Sequence, residues 1–160
     1  MLKRTVEYIN PFTDESVVEE VYFNINLAEA TRLEMYEDLS KRLQEVEDLA
    51  ERLRENPSEA NLNEKKKIYS FFEWIVAKAY CIREGNVPVK SEELSERFMS
   101  SEAYSAVLNW LMFEDNAETN AADFVVGLFP KNMIEKAKKI ADEQKAAEAS
   151  DLDKRLENLS

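Results

Sequence analysis

Ile68–Ala79 reads IYSFFEWIVAKA, and its apolar residues Ile68, Phe71, Phe72, Ile75, Val76 and Ala79 recur at helical spacing. A stripe that broad, with a period of about 3.6 residues, predicts an amphipathic helix with one face in the core. Burying Phe71, Phe72, Ile75 and Val76 would contribute on the order of 2 kcal/mol each, so this helix is expected at the centre of the molecule. Arg83–Pro88, with Gly85-Asn86 inside it, is expected to close the helix as a loop.

Upstream the period changes from helix to strand. In Leu2–Tyr8, Leu2, Val6 and Tyr8 fall on one face and Lys3, Thr5 and Glu7 on the other. In Val17–Ile25, Val17, Val21, Phe23 and Ile25 oppose Glu20, Tyr22 and Asn24. The turn-rich NPFTDES joins them, which predicts a β-hairpin. Two strands alone are marginal in water, so the hairpin must pack on helices. Asn26 followed by Glu29 reads as a capping box that opens a helix. Beyond it Tyr36, Leu39, Leu43, Val46, Ala50 and Leu53 alternate steps of three and four, a heptad seam ended by Asn56-Pro57. The seam is shorter than three heptads. An intramolecular helical hairpin is its plainer reading and a dimer seam the other.

Downstream, Ser91 stands before Glu92 and Glu93 as an N-cap, and Ser100 or Ser101 repeats the device before Tyr104, Val107, Leu108, Leu111 and Met112. Asp115 with Glu118 marks a further start, leading to Phe124, Val125, Leu128 and Phe129, and Pro130 ends that helix. From Lys131 the pattern thins to Met133, Ile134, Ala137, Ile140 and Ala141, then the narrow row Leu152, Leu156 and Leu159. Strong helix formers with little to bury predict a helix that projects or frays. The expected fold is therefore mainly α (α+β): an N-terminal β-hairpin, about 2–25, packed on a bundle of about five helices spanning about 27–130. A charged helical extension, 131–160, follows. Met133, Ile134, Ile140, Leu152, Leu156 and Leu159 are the candidate partner-binding residues; docking on the chain's own core would use them equally well.

Composition narrows the function. Histidine is absent, glycine occurs twice and cysteine once. That removes an imidazole base, histidine-dependent triads and histidine metal ligands, and leaves no internal disulfide or multi-cysteine metal site. Gly85 and Gly127 lie too far apart for a phosphate-cradling loop. The expectation is no catalytic, cofactor or metal site. Cys81, inside an apolar run, reads as a small core residue. No apolar run reaches the roughly 20 residues of a membrane span, and Met-Leu-Lys-Arg leads into a strand pattern, not a signal peptide. The net charge is −12: residues 1–130 hold 26 acidic against 14 basic residues, and residues 131–160 hold seven of each. Such a surface repels nucleic acid and anionic membranes and favours dispersion or a basic partner.

Several blocks of this chain, taken in order, resemble the tail assembly chaperones of long-tailed, siphovirus-type bacteriophages. They are MLKRTVEYINPF at the start, YFNINLAEATRLEM at Tyr22–Met35, IVAKAY at Ile75–Tyr80 and GLFP at Gly127–Pro130, with Lys90-Ser91-Glu92-Glu93-Leu94 and Glu102-Ala103-Tyr104-Ser105 between the last two. The chain departs from the family pattern in a longer Leu39–Lys67 region, and in Cys81, where a glycine is expected after the alanine-tyrosine pair. The resemblance implies a protein of the host cell cytoplasm that coats the apolar, helical tape-measure protein during tail morphogenesis. Tail-tube subunits then displace it, and it is absent from the finished virion. It implies no enzymatic activity and no cofactor, and it allows a homo-oligomer. The family commonly makes a longer product by programmed ribosomal frameshifting, and Pro130-Lys131-Asn132 can be encoded by CCA AAA AAC, which holds the slippery heptamer A AAA AAC; ordinary codons serve as well. Two other classes fit the composition: an acidic DNA-mimic inhibitor of a nucleic-acid enzyme, and a small tail-completion or neck structural protein.

Overall fold

The computed structural model describes residues 1–56 and 61–159. The two N-terminal alternations pair as strands β1 (Leu2–Ile9) and β2 (Ser16–Phe23), antiparallel from Leu2↔Phe23 to Ile9↔Ser16. Helices α1 (Leu27–Glu37), α2 (Leu39–Glu55) and α3 (Leu62–Ala79) follow. Next come two short strands, β3 (Tyr80–Glu84) and β4 (Val87–Val89), then α4 (Glu92–Met99), α5 (Glu102–Met112), α6 (Ala117–Leu128) and α7 (Lys131–Glu157). The protein is thus mainly helical with an N-terminal antiparallel hairpin, as its periodicity predicts, and it has seven helices among the described residues.

Two differences from the sequence reading have local causes. The segment Arg83–Pro88 is not a plain loop. Residues after Ala79 turn into β3, which pairs with β2 at Tyr22↔Cys81 and Phe23↔Tyr80, and then with β4 around Gly85-Asn86. Gly85 has φ +62°, the left-handed region where glycine is unpenalised, and the Arg83 Nε–H donates to its carbonyl at 2.8 Å. The sheet therefore has four strands in the order β1-β2-β3-β4. The run through Tyr36 and Leu39 is also not one helix. Asp38 is left-handed (φ 53°) and ends α1, while the Glu34 carboxylate accepts hydrogen bonds from both the N–H and the hydroxyl of Ser40 at the start of α2. Tyr36 and Leu39 are thereby separated; Leu39 is fully buried, and Leu43, Val46, Ala50 and Leu53 are half-buried. Pro57, expected to end the seam, lies outside the described residues.

Capping explains most helix starts. Asn26 and Glu29 form the capping box, each side chain accepting from the other's backbone N–H at 2.8 and 3.3 Å. Asn61 caps α3, Ser91 caps α4 and Ser101 caps α5, accepting from Glu64, Leu94 and Tyr104 N–H respectively. Ser100 instead ends α4. Helix α6 starts after Asn116 without a side-chain cap, so Asp115 does not play the expected role.

The chain forms two compact units. In the first, residues 1–25 with 45–129, the core is aromatic. Phe23, 1% exposed, meets Tyr80, Phe98 and Phe124 edge-on at centroid distances of 6.3, 6.0 and 5.3 Å. Tyr80 stacks on Phe98 at 4.0 Å, and Phe98 meets Tyr104 at 5.9 Å. Phe71, Phe72, Ile75, Val76 and Ala79 of α3 are buried, as their spacing predicts. Arg4, on the inner face of β1, lies with its guanidinium 4.2 Å from the Trp110 ring, a cation–π contact. A side chain at Gly127 would meet Leu2 Cδ2 at 2.6 Å, so the glycine of GLFP leaves the space that the end of the Leu2 side chain fills. In the second unit, residues 26–44 with 130–160, α1 packs on α7, and Ala30, Leu33, Ala137 and Ala141 are buried.

Phe23→Ala is expected to cost about 3–5 kcal/mol in urea unfolding, because it empties the middle of a cluster that cannot collapse around the gap. Tyr104 supplies an alkaline test. Its hydroxyl has no hydrogen-bond partner among the described residues, and burial, with Tyr69 and Glu73 nearby, pushes its pKa up to about 12 from 10.0. Its contribution to stability is complete below pH 10 and is lost as pH rises toward about 12. Tyr104→Phe is expected to flatten that fall while costing less than about 1 kcal/mol at neutral pH. Part of the slope will remain, since burial shifts Tyr8 and Tyr80 the same way.

Candidate partner-binding surface

Helix α7 is the longest in the chain, and its sequence explains its persistence: Lys, Glu and Ala dominate, with no internal glycine or proline. Pro130 stands at its N-cap, where a missing N–H costs nothing, and its carbonyl accepts from Met133 N–H at 2.8 Å. The first half carries the residues that pack. Ala137 and Ala141 are buried, and Met133 and Ile134, on the same helix face, are half-buried. Alanines at the contact let the α1 backbone approach closely.

Beyond Ala141 every residue through Leu159 is exposed. At 1.5 Å per residue this is roughly 24 Å of exposed helix. Leu152 and Leu156, each 57% exposed, stand one turn apart on one face. Leu159, 83% exposed, continues the row in the turn after the helix, where its N–H donates to the Leu156 carbonyl at 3.2 Å. The six predicted residues thus divide. Met133 and Ile134 lie along the half that packs in its own unit, Ile140 stands at the margin of exposure, and Leu152, Leu156 and Leu159 form an unpartnered row among Asp151, Asp153, Lys154, Arg155 and Glu157. Charges of both signs therefore flank the row.

A second exposed apolar group was not anticipated. At the tip of the hairpin Phe12 is 94% exposed, and Ile9 and Val18 are exposed on the outer face of the strands. The turn holds Phe12 outward: its N–H donates to the Asn10 side-chain carbonyl at 2.9 Å, and Asp14 is left-handed. The signal was present in the alternation, because carrying the outward row Lys3, Thr5, Glu7 one step further reaches Ile9. In this first unit Phe113 and Val126 are also exposed.

The chemistry available elsewhere is sparse. Cys81 is buried on β3. Among the described residues no group of three carboxylates or thiols could hold a metal ion. Among the described residues no helix is long and apolar enough to cross a membrane.

A family model described as phage tail assembly chaperone matches residues 1–159 of the chain. Neither a curated protein nor a solved structure matches it. Replacing Leu152 and Leu156 by serine is expected to change the unfolding free energy by no more than about 0.5 kcal/mol, since exposed positions carry little stability. Ala137→Leu is expected to cost about 1–3 kcal/mol by overpacking a buried site. Urea titrations of the two variants make the comparison.

Proposed function

The chain belongs to the phage tail assembly chaperone family, and from that premise we propose that its client is the tape-measure protein. It keeps that long apolar helix dispersed in the host cytoplasm until tail-tube subunits polymerise around it, and it does not remain in the mature virion. The family is not one of enzymes, and no covalent step is proposed. The observation that carries this reading is the exposed row Leu152, Leu156 and Leu159 on the second half of α7. Burial against an apolar client stripe removes those side chains from water, at about 25 cal/mol per Å². Met133, Ile134 and Ile140 extend the contact when α7 engages along its length. The charge distribution supports the division of labour. The acidic excess lies within residues 1–130 and keeps the complex dispersed by repulsion, whereas the neutral extension, 131–160, meets the client. On this reading 131–160 is an extension that follows 1–130 and is anchored on α1 by its first half, and Pro130-Lys131-Asn132 marks where a frameshifted long form diverges. The gene decides that last point: codons other than A AAA AAC there, with no overlapping minus-one frame, exclude it.

Co-expression with the tape-measure protein is expected to move that protein from the pellet to the supernatant. Leu152→Ser/Leu156→Ser/Leu159→Ser is expected to abolish the effect without altering circular dichroism. Equal client solubility with and without the chain, or with the triple variant, overturns the proposal. Detection of the chain in purified virions by mass spectrometry would make it a structural tail component instead.

A further inference from the structure

Strand β1 is the outer strand of the sheet, and two backbone hydrogen bonds define which of its groups are unused. The Asn10 N–H donates to the Glu15 carbonyl, and the Asn24 N–H donates to the Ala79 carbonyl across to β3, both at 2.8 Å. With the unbroken β1–β2 register, the first bond points Leu2, Arg4, Val6 and Tyr8 backbone groups toward β2, and the second agrees from the other side of β2. The N–H and C=O groups of Lys3, Thr5, Glu7 and Ile9 therefore point away from the sheet. The same four side chains are exposed. Among the described residues β1 pairs with β2 alone, and its eight residues contain neither proline nor a bulge. An edge of that length without such devices is a template for another strand.

We propose that this edge pairs antiparallel with the same edge of a second copy, about a two-fold axis at Thr5. The register follows from charge. A two-fold pairing that joins outward-pointing groups can be centred on Arg4, Thr5 or Val6, or further out. Centring on Thr5 sets Lys3 opposite Glu7 of the second copy, and Glu7 opposite Lys3, with Met1 opposite Ile9 beyond them. Centring on Arg4 places Lys3 opposite Thr5, and centring on Val6 places Glu7 opposite Thr5, so the ion pairs are lost. Centring on Lys3 or Glu7 sets like charges face to face, which is destabilising. Thr5 is therefore the centre that satisfies the backbone and the charges together. Lys3 already pairs with Glu20 on β2 at 3.1 Å, so the second copy's Glu7 extends that pair into a row crossing the junction. The contact is isologous, the same patch on both copies, and it closes at two. It joins the two sheets into one continuous sheet of eight strands.

Sedimentation equilibrium of the full chain from micromolar to millimolar concentration is the test. A reversible monomer–dimer equilibrium is expected. Thr5→Pro removes an edge N–H and is expected to leave monomer, with circular dichroism reporting that the fold is retained. Glu7→Lys is expected to weaken the dimer roughly tenfold by opposing Lys3 with a second lysine, twice. Lys3→Glu/Glu7→Lys is expected to restore it, which general damage to the strand would not do. If Thr5→Pro does not fold, the single and double charge variants decide the matter. A chain monomeric throughout the range, a dimer unmoved by Glu7→Lys, or a double variant no tighter than the single overturns the proposal.

Discussion

The packing around Phe23 is the constraint on which the first unit depends. Its ring, at the end of β2, meets side chains from β3, α4 and α6 edge-on, so one residue fixes where the hairpin, its neighbouring strand and two helices come together. Edge-to-face contacts are directional, worth about 0.5–1.5 kcal/mol each beyond area burial, and they favour one arrangement over a merely greasy interior. The Tyr80–Phe98 stack and the Arg4–Trp110 contact extend the same ordering to either side. The close approach of Leu2 to Gly127 completes it at the strand's beginning. A glycine at that point of α6 leaves room for the end of the Leu2 side chain, although glycine weakens a helix by roughly 1 kcal/mol relative to alanine.

Much of this was legible in the residues because the signals were local. The Asn26–Glu29 box and the serine caps rest on interactions within four residues, and the α3 stripe and the hairpin alternation show as short-period patterns in the sequence. What was not legible depended on distant partners. Strand β3 contains too few residues to show an alternation of its own; it exists because β2 offers Tyr22 and Phe23 a pairing edge. The break at Asp38 depends on a left-handed residue and on the Glu34 carboxylate reaching Ser40, neither of which leaves a periodic trace. Of the candidate surface, the heptad-like leucine row was readable. The division of α7 into a packed half and an exposed half was not, because it is α1 that makes the difference.

Two exposed apolar groups therefore coexist with a strongly acidic composition: the leucine row of α7 and the Phe12 tip of the hairpin. An acidic chain can keep such groups in water without self-association through them, since repulsion between like-charged bodies acts over about 10 Å at moderate salt while apolar attraction acts at contact. That balance suits a protein whose family assists assembly, where apolar surface must be available yet not consumed before a partner arrives.

The nesting of Leu2 against Gly127 has a consequence during synthesis. Strand β1 leaves the ribosome before the helix that receives it, which is completed more than a hundred residues later. At about 5–20 residues per second the nascent hairpin waits on the order of ten seconds for its seat. Within that interval β3 and α5 emerge before α6, so the hairpin gains those partners first. The rate of translation through residues 26–127 thus sets how long the newborn hairpin stands without the helix that seats Leu2.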